Sequence, residues 1–296
     1  MNRLYIFLSV MVVMILPLFA GHEVLAKVLT GTGGDDTLVG TDRDDRFTGL
    51  SGDDSFTGRD GEDRLKGSRG NDRLKGSSGA DNLWGSRGND RLKGSSGNDT
   101  MSGETGNDIL TGGSDNDTMD GGPDNDTYKF ADGFGADRIS ADSAGVDTLD
   151  FAALTSSFTS GSGVHIHLRG QGSKLCPSAA NGCLTVAGRF IENIVGTSVG
   201  DLLEGNPSSN KIKGGGGGDT IKSGNGNDVI IPGAGHDVVY AGDGDDIIYA
   251  RDTEGYDYIG CGKGFDEVET IHRTDRTLSN CERAPGPKRG GIKTGG

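Results

Sequence analysis

"GSRGNDRLKGSSG" stands at residues 67–79 and again at 85–97. The copies start 18 residues apart, yet a shorter pattern returns every nine. From Gly31 to Lys129 the chain divides into eleven consecutive nine-residue units, each opening with Gly. The sixth place is always Asp: Asp36, Asp45, Asp54, Asp63, Asp72, Asp81, Asp90, Asp99, Asp108, Asp117 and Asp126. The eighth is always apolar, from Leu38 through Leu74 and Leu92 to Tyr128. A second block runs from Gly196 to Glu269, with Asp201, Asn210, Asp219, Asp228, Asp237, Asp246, Asp257 and Asp266 at the sixth place.

The pattern has a direct physical reading. The six residues Gly-x-x-Gly-x-Asp make a turn, and glycine tolerates the dihedrals a tight turn needs. The next three, x-apolar-x, make a short strand whose middle side chain points inward. Two turns and two strands close one coil of 18 residues. Unit n then lies against unit n+2, and the long duplication copies one whole coil. The expected fold is all-β: a parallel β-roll, or β-solenoid, with 18 residues per coil. Two rolls, at 27–129 and 196–269, are separated by a small β spacer at 130–195. The nine-residue period breaks there, and "VHIHL" and "CLTVAG" alternate. Residues 270–296 read as a disulfide-tied tail with a disordered C-terminus.

Composition alone places the chain near the disordered class: 55 Gly in 296 residues, 32% apolar residues and a net charge of −15. A fixed period argues for a folded repeat instead, and without a Gly-X-Y period collagen is excluded. Stacked coils lie ~4.8 Å apart, so a column of sixth-place Asp is a ladder of like charges that raises its own pKa values. A hard dication with oxygen ligands removes the conflict. Calcium accepts roughly six to eight such ligands in loose geometry, whereas magnesium demands a stricter octahedron. Zinc is disfavoured because the turns are poor in His and Cys. One inward side chain per nine residues makes a thin core, so metal binding is expected to be coupled to folding.

These units resemble the RTX nonapeptide, the hemolysin-type calcium-binding repeat G-G-x-G-x-D-x-U-x. The resemblance implies a β-roll with multiple calcium ions between stacked turns. They are held by turn carbonyls and by the sixth-place Asp residues named above. The first block departs from the pattern at its second place, which is Gly only at 113 and 122. Arg43, Asp115 and Asp124 replace the fourth-place Gly, and Asn210 replaces an Asp.

The N-terminus reads as a targeting segment. Arg3, the apolar run Leu4–Phe19 and the small residues of Val24-Leu25-Ala26 predict a signal peptide at 1–26, cut after Ala26. The mature chain is then secreted and extracellular, with no later membrane span. Four Cys in an exported chain suggest two disulfides, Cys176–Cys183 and Cys261–Cys281.

No catalytic constellation stands out, and a non-enzyme is expected. His165 and His167 share one strand face without fixed partners. The serines of the "GSSG" turns lack a His/Asp pair. "GGGGG" at 214–218 lies inside the repeat and lacks the Lys-Ser/Thr of a phosphate loop. The expected role is structural or adhesive at the cell exterior. The alternative is a calcium-dependent module for acidic polysaccharide or lipopolysaccharide; third is an accessory part of a secreted enzyme or toxin system. Outward places of the first roll carry Arg64, Lys66, Arg73, Lys75, Arg91 and Lys93, the last four on neighbouring units. In the second roll those places turn apolar, at Val229, Ile231, Val238, Tyr240, Ile247, Tyr249 and Tyr258, a surface suited to self-association. No nucleic-acid partner is expected.

Overall fold

The computed structural model describes residues 25–139, 144–154, 165–168, 173–175, 184–186, 191–250, 255–270, 276–277 and 281–283. The leader run Leu4–Phe19, the Cys176–Cys183 loop and the tail from residue 284 lie outside the described residues. All regular structure among the described residues is β-strand.

Each nine-residue unit forms one short strand, and alternate units pair in parallel. Thr37–Val39 pairs with Ser55–Asp60, which pairs with Arg73–Ser78, while Arg46–Thr48 pairs with Arg64–Arg69 on the other face. The register is the 18-residue one: Leu38 faces Phe56, Phe56 faces Leu74, and Leu74 faces Leu92. The first roll is therefore a flattened solenoid with one sheet on each side.

Between the sheets runs a single file of eighth-place side chains. From Phe47 to Tyr128 in the first roll and from Leu203 to Val268 in the second, each is at most 2% exposed. Phe47 and Phe56, from opposite sheets, meet edge to face at 5.8 Å. Because only one apolar side chain in nine residues points inward, truncating any one of them empties a whole step of the core.

The spacer is β-structured and woven into the same stack. One 13-stranded sheet passes from Thr127–Ala131 in the first roll to Asp147–Ala153. It then continues to Ile191–Val195 and on to Lys211–Gly216 in the second roll. The opposite face is divided. A nine-stranded sheet ends at Ser173–Leu175, and a six-stranded one begins at His165–His167. The single antiparallel pairing among the described strands lies at that break, between Ser173–Leu175 and Leu184–Val186. At the far end Cys261 and Cys281 form a disulfide with Cα atoms 5.3 Å apart, tying the last coil to the tail.

Candidate metal columns

Every sixth-place Asp from Asp45 to Asp126 is buried, at 2% exposure or less. The solenoid register stacks them in two columns, one along each edge. Within a column each carboxylate reaches back one coil. The backbone N–H of Asp36 donates to Asp54 Oδ1, that of Asp54 to Asp72 Oδ1, and that of Asp72 to Asp90 Oδ1, at 2.7–2.8 Å. The other edge repeats this through Asp45, Asp63, Asp81 and Asp99. In the second roll the same bonds link Asp201 to Asp219 and Asp219 to Asp237.

Oδ1 is thereby satisfied, but Oδ2 is not. In Asp54, Asp63, Asp72, Asp81, Asp90, Asp99, Asp108 and Asp117 this atom is buried without a hydrogen-bond partner, as it is in Asp219 and Asp246. Buried polar atoms are almost always paired, so a whole row of orphans needs a ligand. The orphan oxygens face backbone oxygen. An ideal Cβ built on Gly49 would lie 1.8 Å from Asp54 Oδ2 and 2.5 Å from the Gly67 carbonyl oxygen. In the units that open with glycine, that residue is thus the floor of a narrow, oxygen-lined recess that a side chain would crowd; in the second roll Ser223, Pro232, Ala241, Ala250 and Cys261 stand at this place.

The electrostatics record the same conflict. Burial, reinforced by the carboxylates of adjacent coils, pushes Asp63 and Asp72 up to about 7 and Asp99 and Asp108 up to about 8. Asp219 rises to about 8 and Asp246 to about 7 for the same reasons.

The opening coils of each roll differ. Asp36 Oδ2 accepts the Thr32 N–H at 2.5 Å, Asp45 Oδ2 accepts the Thr41 N–H at 2.5 Å, and Asp201 Oδ2 accepts the Thr197 N–H at 2.6 Å. Each Thr hydroxyl also donates to the same carboxylate. Asn210 is completed by protein alone: Oδ1 accepts the Asn206 N–H and Nδ2 donates to Asn206 Oδ1. These first turns close on themselves, and the orphan row begins behind them.

Two column members have no place in the nine-residue pattern. The Asp117 N–H donates to Asp137 Oδ1 and the Asp126 N–H to Asp147 Oδ1, both at the usual distance. They lie 20 and 21 residues on, so insertions of two and three residues hide them from the period. After Asp147 the longer Glu192 takes the next step, accepting the Asp147 N–H. A second ladder was also unforeseen. Exposed fifth-place side chains accept N–H groups from the next coil, as in Asn89 to Asn71 and Asn107 to Asn89.

Among the described residues no three His, Cys, Asp or Glu side chains converge as a ligand group. The recesses at Gly49, Gly58, Gly94 and Gly103 instead combine a carboxylate with a backbone carbonyl of the next coil, a donor set of hard oxygens that fits calcium and not zinc. The model of the RTX calcium-binding nonapeptide repeat (four copies) matches residues 30–65, 57–92, 93–128, 195–230 and 224–252, more than half the chain.

The chain belongs to the RTX calcium-binding repeat family.

Among curated proteins, none matches the chain. As an RTX protein it is a calcium-binding repeat protein, and its roll is the 18-residue β-solenoid described above. The orphan-bearing Asp residues fit the role of calcium ligands. Bound calcium supplies the positive charge that allows stacked carboxylates to stay ionised. The matches stop at 128 and resume at 195, so Asp137 and Asp147 lie outside them, as do Asp257 and Asp266 near the end of the second roll.

Proposed function

We propose that this RTX protein is a secreted, calcium-folded scaffold with a structural or adhesive role at the cell exterior and no catalytic activity of its own. The observation that carries the reading is the row of buried, unpartnered carboxylate oxygens from Asp54 to Asp117. A chain built this way is matched to a compartment rich in calcium, and extracellular modules bind in about the 10⁻⁴–10⁻³ M range. The targeting pattern at 1–26 and the disulfide Cys261–Cys281 favour the same compartment. No helix among the described residues is long and apolar enough to cross a membrane. Self-association is assigned to the second roll, where Tyr240, Tyr249 and Tyr258 are 37–45% exposed.

Fractionating the producing cells tests the role. The reading expects protein beginning at Lys27 outside the cell, on the surface or in the medium. It also expects release of the surface-held fraction by a calcium chelator. Retention inside the cell with residues 1–26 intact contradicts it.

A second reading, a module for acidic polysaccharide, is favoured by one specific observation. Arg73 sits beside Arg91 and Lys75 beside Lys93 on one sheet, and none of the four forms an ion pair. Salt-sensitive retention on heparin in saturating calcium supports this reading, and passage through the column at low salt refutes it.

A further inference from the structure

The first roll carries cations on both of its faces. On one sheet, Arg73 and Lys75 lie beside Arg91 and Lys93. On the opposite sheet, Arg46 lies beside Arg64, and Lys66 sits between Thr48 and Trp84. All seven charged side chains are exposed, and none takes part in an ion pair. Neighbouring strands are ~4.8 Å apart, so each like-charged pair is held close without internal compensation.

The turns beside units 5 and 7 leave their cations unopposed, whereas Arg46, Arg64 and Lys66 stand in units whose fifth places, Asp44 and Glu62, are acidic. Exposed fifth places carry acids only in the first four units, at Asp35, Asp44, Asp53 and Glu62. From Asn71 the rim changes to Asn71, Ala80, Asn89 and Asn98, which carry no charge. The sixth-place acids of the same units are buried. The acidic rim thus gives way to a neutral one where the paired cations of units 5 and 7 stand.

We propose that the first roll is a two-sided bridge that holds one acidic polysaccharide chain on each face. The proposal rests on the polysaccharide-binding reading above and adds its geometry. The two sheets stand back to back across a single layer of side chains, about 10 Å apart, and their cation arrays point in opposite directions. An extended polymer lying on Arg73, Lys75, Arg91 and Lys93 leaves Arg46, Arg64 and Lys66 free for a second one. Trp84 adds an aromatic surface on that second face, between Lys66 and Ser102. Binding on two faces converts weak single contacts into cross-linking of a polymer network. The competing arrangement is one chain wrapped around the roll by way of Arg69 and Arg87, which lie side by side past the bend.

The test uses the whole protein in saturating calcium with heparin-coated beads. Wild type is expected to agglutinate the beads at intermediate protein concentration and to disperse them at large excess, when each face meets a separate molecule. Two variants neutralise one face each: R73Q/K75Q/R91Q/K93Q and R46Q/R64Q/K66Q. At a protein concentration where the free protein sediments as a monomer, each should stay on the beads at low salt with about tenfold or more loss of apparent affinity and fail to agglutinate them. The combined variant should lose retention as well, and all three should keep the calcium-induced β spectrum of wild type. Agglutination by both single-face variants overturns the bridge in favour of self-association. Wild type that binds without agglutinating also overturns it, in favour of wrapping, while leaving the binding reading intact. Wild type that is not retained at all removes the binding reading and the bridge together.

Discussion

In the first roll every unit opens with Gly, whereas in the second only Gly196, Gly205 and Gly214 do, and Ser223, Pro232, Ala241, Ala250 and Cys261 hold that place in the last five units. The second place shows the reverse. Leu50, Arg59, Ser68, Ser77, Ser86, Ser95 and Glu104 in the first roll adopt φ between 72° and 104°, a region that L-residues avoid. In the second roll Gly215, Gly224, Gly233, Gly242 and Gly262 occupy it. A side chain held in that region costs about 1–2 kcal/mol, and the first roll bears this in seven consecutive units. The faces differ as well, cationic in the first roll and tyrosine-bearing in the second, where the Tyr240 and Tyr258 rings lie 6.3 Å apart. The second roll also ends in a disulfide. The same repeat is thus built once as a strained roll that leans on its ions and once as a roll whose backbone is closer to what its glycines prefer.

The sharpest way to break this contrast is at the first place. A Cβ on Gly85 would lie 2.1 Å from Asp90 Oδ2, so Gly85→Ala should cost the first roll about 3 kcal/mol. The reverse change in the second roll, Ala241→Gly, should cost only about 1 kcal/mol, the ordinary penalty of a strand glycine. Urea denaturation in saturating calcium reads both. Equal losses would mean that the recess floor is not what distinguishes the rolls.

Proton binding gives a second handle. The interior carboxylates from Asp54 to Asp117 have folded-state pKa values above their ordinary value, up to about 7 at Asp72 and about 8 at Asp108. The metal-free fold therefore binds protons more tightly than the unfolded chain. The contribution of these carboxylates to its stability is fully present below about pH 4 and is lost as pH rises through about 8. In chelator the protein should show more β structure at pH 5 than at pH 8, with the first roll the more sensitive. In calcium the trend should reverse, because the ion needs ionised carboxylates. Circular dichroism at the two pH values, with and without calcium, checks the sign.

A smaller difference is expected within one column. Asp90→Ala removes an interior carboxylate with an orphaned Oδ2, and it should raise the calcium midpoint several-fold, on the order of 1 kcal/mol. Asp36→Ala removes a carboxylate that the Thr32 N–H and hydroxyl already satisfy, and it should shift the midpoint less. Equal midpoints would contradict the division into opening and interior coils. The smallest effect should come from Ser77→Gly, which relieves a φ of 104° at the cost of glycine's backbone entropy and should stabilise the first roll by about 0.5 kcal/mol.

Much of this was legible because the repeat is strict. The 18-residue duplication gave the parallel pairing, and the eighth places gave the core, since a solenoid offers each residue only one environment. The columns were legible wherever the period held. Asp137 and Asp147 escaped because short insertions moved them out of phase while the backbone kept its register. The self-closed turns at Thr32, Thr41, Thr197 and Asn206 carried a signal, a Thr or Asn four residues before the sixth place. Its meaning depends on which carboxylate oxygen is left over, which only coordinates show. The cluster Arg73, Lys75, Arg91 and Lys93 was legible from the pairing of unit n with unit n+2. Arg46, which joins Arg64 on the opposite sheet, escaped because Thr48 and not a second cation stands two places on.

The central claim is that the orphaned carboxylate row makes the fold depend on calcium. Titrating the metal-free protein at neutral pH, with circular dichroism following β structure, tests it most directly. The account predicts a largely unfolded protein in chelator. It further predicts a cooperative gain of β structure toward millimolar calcium, with the second roll forming at lower calcium than the first. A full β spectrum in chelator, unchanged by added calcium, would contradict it.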